Sequence, residues 1–409
     1  MTNNEVNFVF GNMNSRGGGE RLTLVSMIAA LNTPVKSFDL TTLYRPKIAW
    51  LDESFGTKLS SVMRKLRRIY IISILDYLEK SNSVSNHYSK RGFVTINTHG
   101  DKIPYYNPGM TKDNSIVYCH YPTARGLIQR RDLEYLENDL NIRTMKKITT
   151  YNEKYTMKVP NKSSEEYSHR PDGIFKLLTR AYTNLINKST VLTNSEFSRK
   201  AILSVFKSSH VEILSPPVDV EVFRNNGLES NERKDIILVI SRIAPDKEIE
   251  KALSLARILK KRGIGSQMIV AGSLTQRNSG YLRSLEKLIK NWDIKDYVIF
   301  KANTPLEELF KIIRKAKIYF HPKFREHFGI SIVESMAAGL APIVPNVGGQ
   351  TEFVPRKFHF KSLDEAADLV SSSLALSGLE RRQISDSVVR FSTSNYIRNF
   401  QILLSEKLS

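Results

Sequence analysis

Short runs of apolar residues alternate with longer stretches of helical periodicity along most of the chain. In the first half these runs are NFVF (7–10), FVTINTH (93–99), SIVYCHY (115–121) and STVLTNS (189–195). In the second half they are DIILVISR (235–242), QMIVAG (267–272), YVIFKAN (297–303), KIYFHP (317–322) and APIVPN (341–346). Strands separated by helices are typical of parallel sheets, so the pattern predicts an α/β fold with doubly wound sheets.

The length of the chain predicts more than one such sheet. A chain of 409 residues is long for a single core, and two domains of about 200 residues each are the expected division. The Pro216-Pro217 pair interrupts regular structure, so we predict domains at 1–216 and 217–390, with a C-terminal helix at 391–409 packing back toward the first domain. Two Rossmann-like domains facing each other would form a central cleft, with the carboxyl ends of both sheets around it.

Residues 141–173 interrupt the alternation of predicted strands and helices. The segment is rich in polar and charged residues and has no clear periodicity. A stretch of that length between regular elements predicts a functional loop or lid.

Charge and cysteine content restrict the partners and the compartment. The formal net charge of +20 favours an anionic partner such as a nucleotide, a nucleic acid or an acidic membrane face. The single cysteine, Cys119, excludes an internal disulfide and a zinc site with several cysteines, which fits a reducing compartment.

The sequence contains no HEXXH or CXXC motif and no recognisable cluster with metal-ligand spacing, so we expect no metal. The start, MTNNEVNFVF, lacks a signal-peptide pattern, and no apolar run approaches the roughly 18 residues of a spanning helix, so we expect a soluble or peripheral protein.

Two carboxylates bracket a short apolar run in the second half. Glu326 follows the predicted strand KIYFHP, and Glu334 lies about one turn inside the helix predicted for GISIVESMAAG. The backbone N–H groups of Gly329 and Ile330, at the start of that helix, suit a phosphate or a developing negative charge. One carboxylate can then accept hydrogen bonds from sugar hydroxyls and the other from a ribose. For two isolated glutamates, plain solvent exposure is the more frequent alternative.

Cations and glycines follow other predicted strands. Arg242 and Lys247, in SRIAPDKEIEKAL, can clamp a diphosphate, or can be an ordinary surface pair. Gly17, Gly18 and Gly19 follow the first strand, where they permit close approach to a phosphate or form a simple flexible turn.

A histidine lies at the end of the predicted strand SIVYCHY (115–121). His120, in IVYCHYPT, can hydrogen-bond a substrate hydroxyl, although a buried histidine satisfied by backbone is more common.

These motifs together carry a family resemblance along nearly the whole chain. Glu326 and Glu334 with seven residues between them, Arg242 with Lys247, PPVD, TNSEFS and the glycine-rich loop resemble the retaining glycosyltransferases of family four, which have GT-B architecture. More closely, GGGER (17–21), HYPT (120–123) and EHFGISIVESMAAG (326–339) resemble the α-1,2-mannosyltransferases of asparagine-linked glycan assembly.

The resemblance implies a reaction and a set of site residues. It implies a nucleotide-diphosphate sugar in the C-terminal domain, GDP-mannose being favoured and a UDP-sugar possible, and an acceptor in the N-terminal domain that is a polyprenol-linked oligosaccharide. Transfer would need no metal and no cofactor. The implied donor-binding residues are Gly17, Gly18, Gly19, Arg242, Lys247, Glu326, Phe328, Gly329, Ile330 and Glu334. The implied catalytic residues are His120, which touches the donor sugar near the reacting carbon, Arg242 and Lys247 on the diphosphate, and Glu326 on the sugar hydroxyls.

Other functions remain as alternatives. A soluble enzyme of the same fold, making a glucan or a sucrose-type product, or a nucleotide-sugar epimerase would share the donor site. A nucleic-acid-binding protein would account for the charge, but the sequence shows no helix-turn-helix, RNP-like strand or zinc finger.

The final expectation concerns membranes. The pattern at 57–78, TKLSSVMRKLRRIYIISILDYL, predicts a basic amphipathic helix that docks a cytoplasmic, peripheral enzyme on an anionic membrane surface. The alternative is that its apolar stripe packs on the N-terminal sheet and its cations face water.

Overall fold

The computed structural model describes residues 5–14, 17–47, 66–71, 93–100, 111–130, 172–206 and 210–409. The chain divides into two compact units, of which the first comprises Met1–Ser215 with Ile397–Ser409 and the second comprises Pro216–Tyr396. Each unit is built around its own parallel β-sheet.

The sheet of the first unit has the strand order β3-β2-β1-β4-β5-β6-β7, and its paired neighbours are parallel. Its strands are β1 (Glu5–Val9), β2 (Ser37–Thr42), β3 (Leu66–Ile71), β4 (Val94–Asn97), β5 (Ser115–Tyr118), β6 (Thr190–Thr193) and β7 (Glu212–Ile213). Its helices are α1 (Gly18–Leu31), α2 (Thr123–Gln129), α3 (Asp172–Asn187) and α4 (Glu196–Phe206).

The central strands of this sheet are buried on both faces. Phe8 in β1 and Ile96 in β4 are inaccessible or nearly so, as expected where helices cover both sides of a parallel sheet. Polar side chains inside the sheet satisfy one another, because the Thr41 hydroxyl donates to Asn7 Oδ1 at 2.9 Å. The C-terminal helix α12 (Thr393–Leu408) ends in this unit, where the Gln401 amide donates to the Ala29 carbonyl at 3.1 Å.

The prediction of an amphipathic helix at residues 57–78 is wrong for Leu66–Ile71. These residues form the edge strand β3, parallel to β2, with Phe38 opposite Leu66 and Thr42 opposite Ile71. Ile69, Tyr70 and Ile71 are β-branched or aromatic, and such residues favour a pleated, half-buried surface over a helix. The rest of the predicted helix lies outside the described residues, as does 141–171 of the predicted loop.

The sheet of the second unit has the order β10-β9-β8-β11-β12-β13, again with parallel neighbours. Its strands are β8 (Ile236–Ile240), β9 (Gln267–Gly272), β10 (Val298–Ala302), β11 (Ala316–Phe320), β12 (Ala341–Pro345) and β13 (His359–Phe360). Its helices are α5 (Val220–Gly227), α6 (Ile249–Arg262), α7 (Ser279–Asn291), α8 (Leu306–Lys315), α9 (Ile330–Ala337), α10 (Leu363–Ser373) and α11 (Gly378–Asp386).

Helix α6 illustrates how the second unit is stabilised. Its buried residues Ile249, Leu253, Ala256 and Leu259 recur every three or four positions, so one stripe faces the core. Full burial of each large aliphatic side chain contributes about 1.5–3 kcal/mol. The helix ends at Arg262, and its C-cap residue Gly263 has a φ of 65°, which is left-handed and suits glycine.

Both sheets reverse their strand order once, and this reversal determines where a ligand can bind. In the first sheet the reversal lies between β1 and β4, and in the second it lies between β8 and β11. Ligands of doubly wound sheets bind outside the carboxyl ends of the strands at such a point. The loops that follow these strands are therefore the expected place for a functional site. Within the described ranges, no helix is both long and apolar enough to span a bilayer.

Candidate functional site

The loops after β8 and β11 bring two predicted site residues together in the second unit. Lys247 ends a short 3₁₀ helix, Pro245–Lys247, just before α6, and Glu326 lies between β11 and α9. The Lys247 Nζ donates to Glu326 Oε2 at 3.4 Å. Because β8 and β11 are adjacent, residues 79 positions apart in sequence meet at one edge of the sheet.

Glu326 is the centre of this cluster, and it is only 9% exposed. Besides Lys247, its Oε2 faces Lys323 Nζ at 3.9 Å and His321 Nε2 at 3.6 Å. Its Oε1 accepts a hydrogen bond from the backbone N–H of His327 at 3.0 Å. Two ammonium groups therefore surround one carboxylate, and the cluster has an excess of positive charge.

The turn after β12 holds the backbone of Glu326. The Gly349 N–H donates to the Glu326 carbonyl at 2.7 Å, and the Arg325 N–H donates to the Val347 carbonyl at 3.0 Å. Gly348 forms an isolated parallel bridge with Glu326, and a Cβ at Gly348 would lie 2.7 Å from the Glu326 carbonyl oxygen. The φ of Gly348 is +131°, which also favours glycine, so the Gly348-Gly349 pair permits this close approach.

The surroundings of Glu326 keep its carboxylate ionised. Burial alone works to raise the pKa of Glu326, but contact with the His321 imidazole and the charges of Lys247 and Lys323 outweigh it and hold the pKa well below its ordinary value. Burial lowers the pKa of His321, and the charges of Lys247 and Lys323 lower it further, against the pull of Glu326. At neutral pH the cluster therefore contains a carboxylate, two ammonium groups and a neutral imidazole.

Helix α9 begins beside this cluster. Gly329 is its N-cap with φ of 97°, and the first backbone N–H groups of any helix have no partner within the helix. Glu334 lies on the same helix and is partly buried. The phenol of Tyr319 is affected by both carboxylates, because burial raises its pKa most and the charges of Glu326 and Glu334 raise it further. The helix start, Glu326 and Glu334 therefore belong to one region of the second unit.

Two other predicted donor-site residues are placed differently from the cluster. The Arg242 guanidinium pairs with Asp246 at 3.0 Å and is 55% exposed. The Phe328 ring is buried in an aromatic group, with its centroid 5.3 Å from the rings of Phe353 and Phe391. Its side chain therefore stabilises the core.

In the first unit, the glycine-rich loop and His120 meet at the carboxyl edge of the sheet. Helix α1 begins at Gly18 with Gly17 as its N-cap. A Cβ at Gly19 would lie 3.8 Å from His120 Nε2 and 3.5 Å from the Phe10 ring. The His120 imidazole contacts the Thr98 carbonyl at 3.1 Å, at the end of the neighbouring β4. The structure thus brings together residues that the sequence placed in two separate motifs.

The TNSEFS segment positions the backbone on which His120 lies. The Asn194 amide donates to the His120 carbonyl at 2.9 Å, and the Thr193 hydroxyl donates to the Cys119 carbonyl at 2.8 Å. The ring of Phe197 stacks on Tyr121 with centroids 5.9 Å apart. This segment therefore supports the loop after β5.

Sequence reasoning missed several residues of the second-unit cluster. His321 and Lys323 follow β11 directly and precede Glu326, so their position after a strand was a usable signal. Glu248 was also missed. Its Oε2 accepts from the Phe324 N–H at 3.3 Å and pairs with Lys251, which ties the start of α6 to the Glu326 loop. Within the described residues, no group of three or more histidine, cysteine or acidic side chains is placed to hold a metal.

The segment that contains this cluster matches a known family model. Residues 223–385, within the second unit, match the model described as Glycosyl transferases group 1.

Curated relatives are similar over a part of the chain. The chain is 28% identical over 230 residues to the GDP-Man:Man(3)GlcNAc(2)-PP-Dol alpha-1,2-mannosyltransferase of Dictyostelium discoideum, covering 51% of this chain and 46% of that protein. It is 27% identical over 173 residues to the GDP-mannose:cellobiosyl-diphosphopolyprenol alpha-mannosyltransferase of Xanthomonas campestris, covering 42% of this chain and 44% of that protein. The chain spans about half the length of the curated relatives it matches. The resemblance to mannosyltransferases inferred from the motifs is confirmed as a similarity.

Solved structures share the fold over nearly the whole chain. A glycosyltransferase from Rickettsia africae has a TM-score of 0.64 and 14% identity, covering 99% of this chain and 98% of that one. A sucrose-phosphate synthase from Thermosynechococcus elongatus has a TM-score of 0.59 and 15% identity, covering 98% of each chain. The predicted fold class, two Rossmann-like parallel-sheet domains of GT-B type, is confirmed.

Proposed function

We propose that this chain is a retaining glycosyltransferase that moves a hexose from a nucleotide-diphosphate sugar to a polyprenol-linked glycan. The observation that carries the proposal is the cluster of Lys247, Lys323 and Glu326 at the carboxyl edge of the second sheet, inside the group 1 glycosyltransferase domain. Mannose and GDP are favoured, because the relatives from Dictyostelium and Xanthomonas are named for GDP-mannose donors. A UDP-sugar would use the same contacts to phosphate.

The charges of the cluster suit a diphosphate bound next to a sugar. Two lysines face one carboxylate, so a net positive charge remains to attract the phosphates. The N-terminus of α9 adds backbone N–H groups at Gly329 and Ile330. Glu326 would accept hydrogen bonds from the sugar hydroxyls, and Glu334 from the ribose. Arg242 would bind phosphate after leaving Asp246.

Transfer at this site requires no nucleophile from the protein. The bond between the anomeric carbon and the diphosphate breaks, and its electron pair leaves with the diphosphate. The acceptor hydroxyl oxygen attacks the same face of the sugar, and its proton passes to the departing diphosphate oxygen. Lys247, Lys323 and the α9 N-terminus stabilise the leaving charge, an effect worth about 3–4 kcal/mol for one well-placed donor.

The first unit would hold the acceptor. Gly17, Gly18 and Gly19 allow close approach of a phosphate-bearing lipid to the N-terminus of α1, and His120 lies beside Gly19. His120 would contact the donor sugar near its reacting carbon. Polyprenol or dolichol diphosphate appears in the names of the relatives from Xanthomonas and Dictyostelium, which supports a lipid-linked acceptor.

Charge removal at the two lysines should weaken binding of the diphosphate more than binding of the nucleoside. For Lys247→Gln and Lys323→Gln we expect GDP affinity to fall by roughly 10- to 100-fold, the range for hydrogen bonds to charged groups, and GMP affinity to fall less. Isothermal titration calorimetry measures both. The matched control is Lys311→Gln, since Lys311 is an exposed cation paired with its helix neighbour Glu308. Unchanged GDP affinity in both site variants would contradict the diphosphate assignment.

The experiment that tests the function is a donor panel followed by a transfer assay. A ligand at 100 times its dissociation constant should stabilise the protein by about 2.7 kcal/mol, which thermal shift detects. We expect GDP-mannose to give the largest shift, and mannose transfer to a polyprenol-diphosphate glycan to follow. Absence of a shift with every GDP- and UDP-sugar would overturn the proposal.

The transfer assay also tests the absence of a metal requirement. We propose that the cations of the site take the place of a divalent ion, so transfer should continue in EDTA. Activity that is lost in EDTA and returns with manganese or magnesium would contradict this.

A peripheral position on the cytoplasmic face of a membrane completes the proposal. The acceptor is a lipid, and the net charge of +20 favours an anionic surface. Sedimentation with liposomes should be stronger for anionic than for neutral lipid and should weaken with salt. Equal binding to both lipids would contradict this.

The alternatives predict different products and ligands. A sucrose- or glucan-type synthase would transfer to a soluble acceptor in the same assay, and an epimerase would convert the donor without an acceptor. A nucleic-acid-binding protein would bind DNA or RNA tightly at physiological salt, with no thermal shift from any nucleotide sugar.

A further inference from the structure

A row of hydrogen-bonded polar side chains lies behind Glu326 and ends at its carboxylate. The Ser331 hydroxyl, in the first turn of α9, is 2.8 Å from the Tyr319 hydroxyl, and this is 3.0 Å from His321 Nδ1. His321 Nε2 then faces Glu326 Oε2 at 3.6 Å. Tyr319 is inaccessible to solvent and His321 is 3% exposed. This row of side chains therefore runs through the interior of the second unit and ends at the Glu326 carboxylate.

The Nε2 atom of His321 is the least well hydrogen-bonded atom of this row of side chains. Among the described residues, Nε2 is buried and has no hydrogen-bond partner, and Glu326 Oε2 faces it at 3.6 Å. A buried polar atom without a partner costs free energy unless something at the site satisfies it. Its orientation toward the cluster indicates that the partner is the Glu326 carboxylate.

The charges determine which nitrogen of His321 carries the proton. The imidazole is neutral, because burial lowers the pKa of His321, so only one nitrogen has a hydrogen. The ionised Glu326 can only accept hydrogen bonds, and a bare Nε2 lone pair facing it would be repelled. The proton therefore belongs on Nε2. Nδ1 then accepts from Tyr319, and Tyr319 in turn accepts from Ser331.

We propose that His321 is a positioning residue that orients the Glu326 carboxylate toward the donor sugar through its Nε2–H group. This inference rests on the proposed function and deepens it. In the free protein, Oε2 of Glu326 faces Lys247 and Lys323, the two cations assigned to the diphosphate. When a donor draws these lysines to its phosphates, the His321 Nε2–H and the His327 N–H remain to hold the two carboxylate oxygens in place.

Two substitutions separate this role from simple space filling. The amide nitrogen of glutamine can reach the position of Nε2, whereas asparagine places its amide near Nδ1. We expect His321→Gln to keep donor binding and turnover within about threefold, and His321→Asn to lose roughly 10- to 100-fold in affinity for GDP-mannose, the range for a hydrogen bond to a charged group. GDP lacks the sugar, so its affinity should stay the same in both variants.

Controls distinguish positioning from a structural effect. His359, half-buried in the same unit, bonds the Val354 carbonyl at 2.9 Å, so His359→Asn should leave GDP-mannose and GDP affinities unchanged. Equal losses in His321→Gln and His321→Asn, or a loss for GDP as large as for GDP-mannose, would overturn the proposal.

A second measurement needs no donor and is therefore independent of the proposed function. In ¹⁵N-histidine-labelled wild type without nucleotide, the NMR spectrum should show His321 with its proton on Nε2, assigned by its absence in His321→Gln. A proton on Nδ1 would overturn the inference even if transfer is found. A proton on Nε2 together with no binding of any nucleotide sugar would support the tautomer and reject the proposed function.

Discussion

Replacement of Glu326 by glutamine should reduce sugar transfer by at least about 100-fold while the second unit remains folded. Glutamine keeps the shape of the side chain but removes the charge that Lys247 and Lys323 face at 3.4 and 3.9 Å. It also replaces an oxygen that only accepts hydrogen bonds by an amide nitrogen that donates them, so the sugar hydroxyls that we propose bind there would lose an acceptor. Steady-state kinetics with GDP-mannose and circular dichroism of the variant measure the two effects.

The control for this substitution is Glu308→Gln. Glu308 is an exposed glutamate on α8 whose ion pair with Lys311 lies on the surface, where such pairs contribute about 0–1 kcal/mol. Its turnover should equal that of wild type. Near-native turnover in Glu326→Gln would remove the carboxylate from the mechanism.

We also expect Glu326 to affect how the stability of the second unit depends on pH. A group whose pKa falls on folding adds stability above its unfolded pKa, and that stability is lost as the pH falls toward the folded pKa. Glu326 and His321 both have lowered pKa values, so the second unit should lose stability below pH 6.5 through His321 and further below pH 4.5 through Glu326. In Glu326→Gln the loss below pH 4.5 should be smaller than in wild type in thermal melts taken across that range. A part should remain, because Asp296, Glu308 and Glu380 in the same unit also have lowered pKa values.

The positions of Lys247 and Glu326 were predictable because they follow from strand order. Each comes after a continuous apolar run, and runs of this kind are typical of central parallel strands. Since the carboxyl ends of adjacent parallel strands share one edge, the loops that follow them must meet. To predict that these two loops meet, it was therefore enough to recognise β8 and β11 correctly as strands.

Apart from β3, which was predicted as a helix, the strands that the sequence did not predict carry buried polar residues or are very short. In β2, Asp39, Thr41 and Thr42 are fully buried, so the apolar run that marks a buried strand is absent. Strand β13 has two residues, His359 and Phe360. Local pattern contains too little information for either element, because tertiary pairing decides them.

The inner partners of Glu326 depend on backbone geometry that the sequence does not state. His321 reaches Ser331 through Tyr319 only because the chain turns at Gly329, with φ of 97°, and returns as α9. Likewise, the ion pair of Arg242 with Asp246 follows from the 3₁₀ turn Pro245–Lys247. The sequence shows where a glycine or a charged residue lies. It does not show the direction that the backbone takes at the glycine or the partner with which the charge pairs.

Replacement of Gly272 by alanine should strongly destabilise the second unit. A Cβ at Gly272 would lie 1.7 Å from the Ser241 carbonyl oxygen, which is backbone and cannot rotate away. The strand ends are tied at this point, since the Ser241 N–H donates to Ala271 and the Asn303 N–H donates to Gly272. Overpacking of this kind costs about 3 kcal/mol or more. Differential scanning calorimetry should show a melting temperature lowered by about 6–12 °C.

The same substitution should weaken nucleotide binding, because Ser241 leads directly into the loop that carries Lys247. The control is Gly280→Ala in the first turn of α7, where an added Cβ would have Arg283 Nη2 as its nearest neighbour, at 3.8 Å. Alanine there should be neutral or stabilising by up to about 1 kcal/mol, since it only raises helix propensity. If Gly272→Ala melts within about 2 °C of wild type and binds GDP normally, β8 and β9 can separate without cost. The loop after β8 would then not depend on the close approach of these two strands.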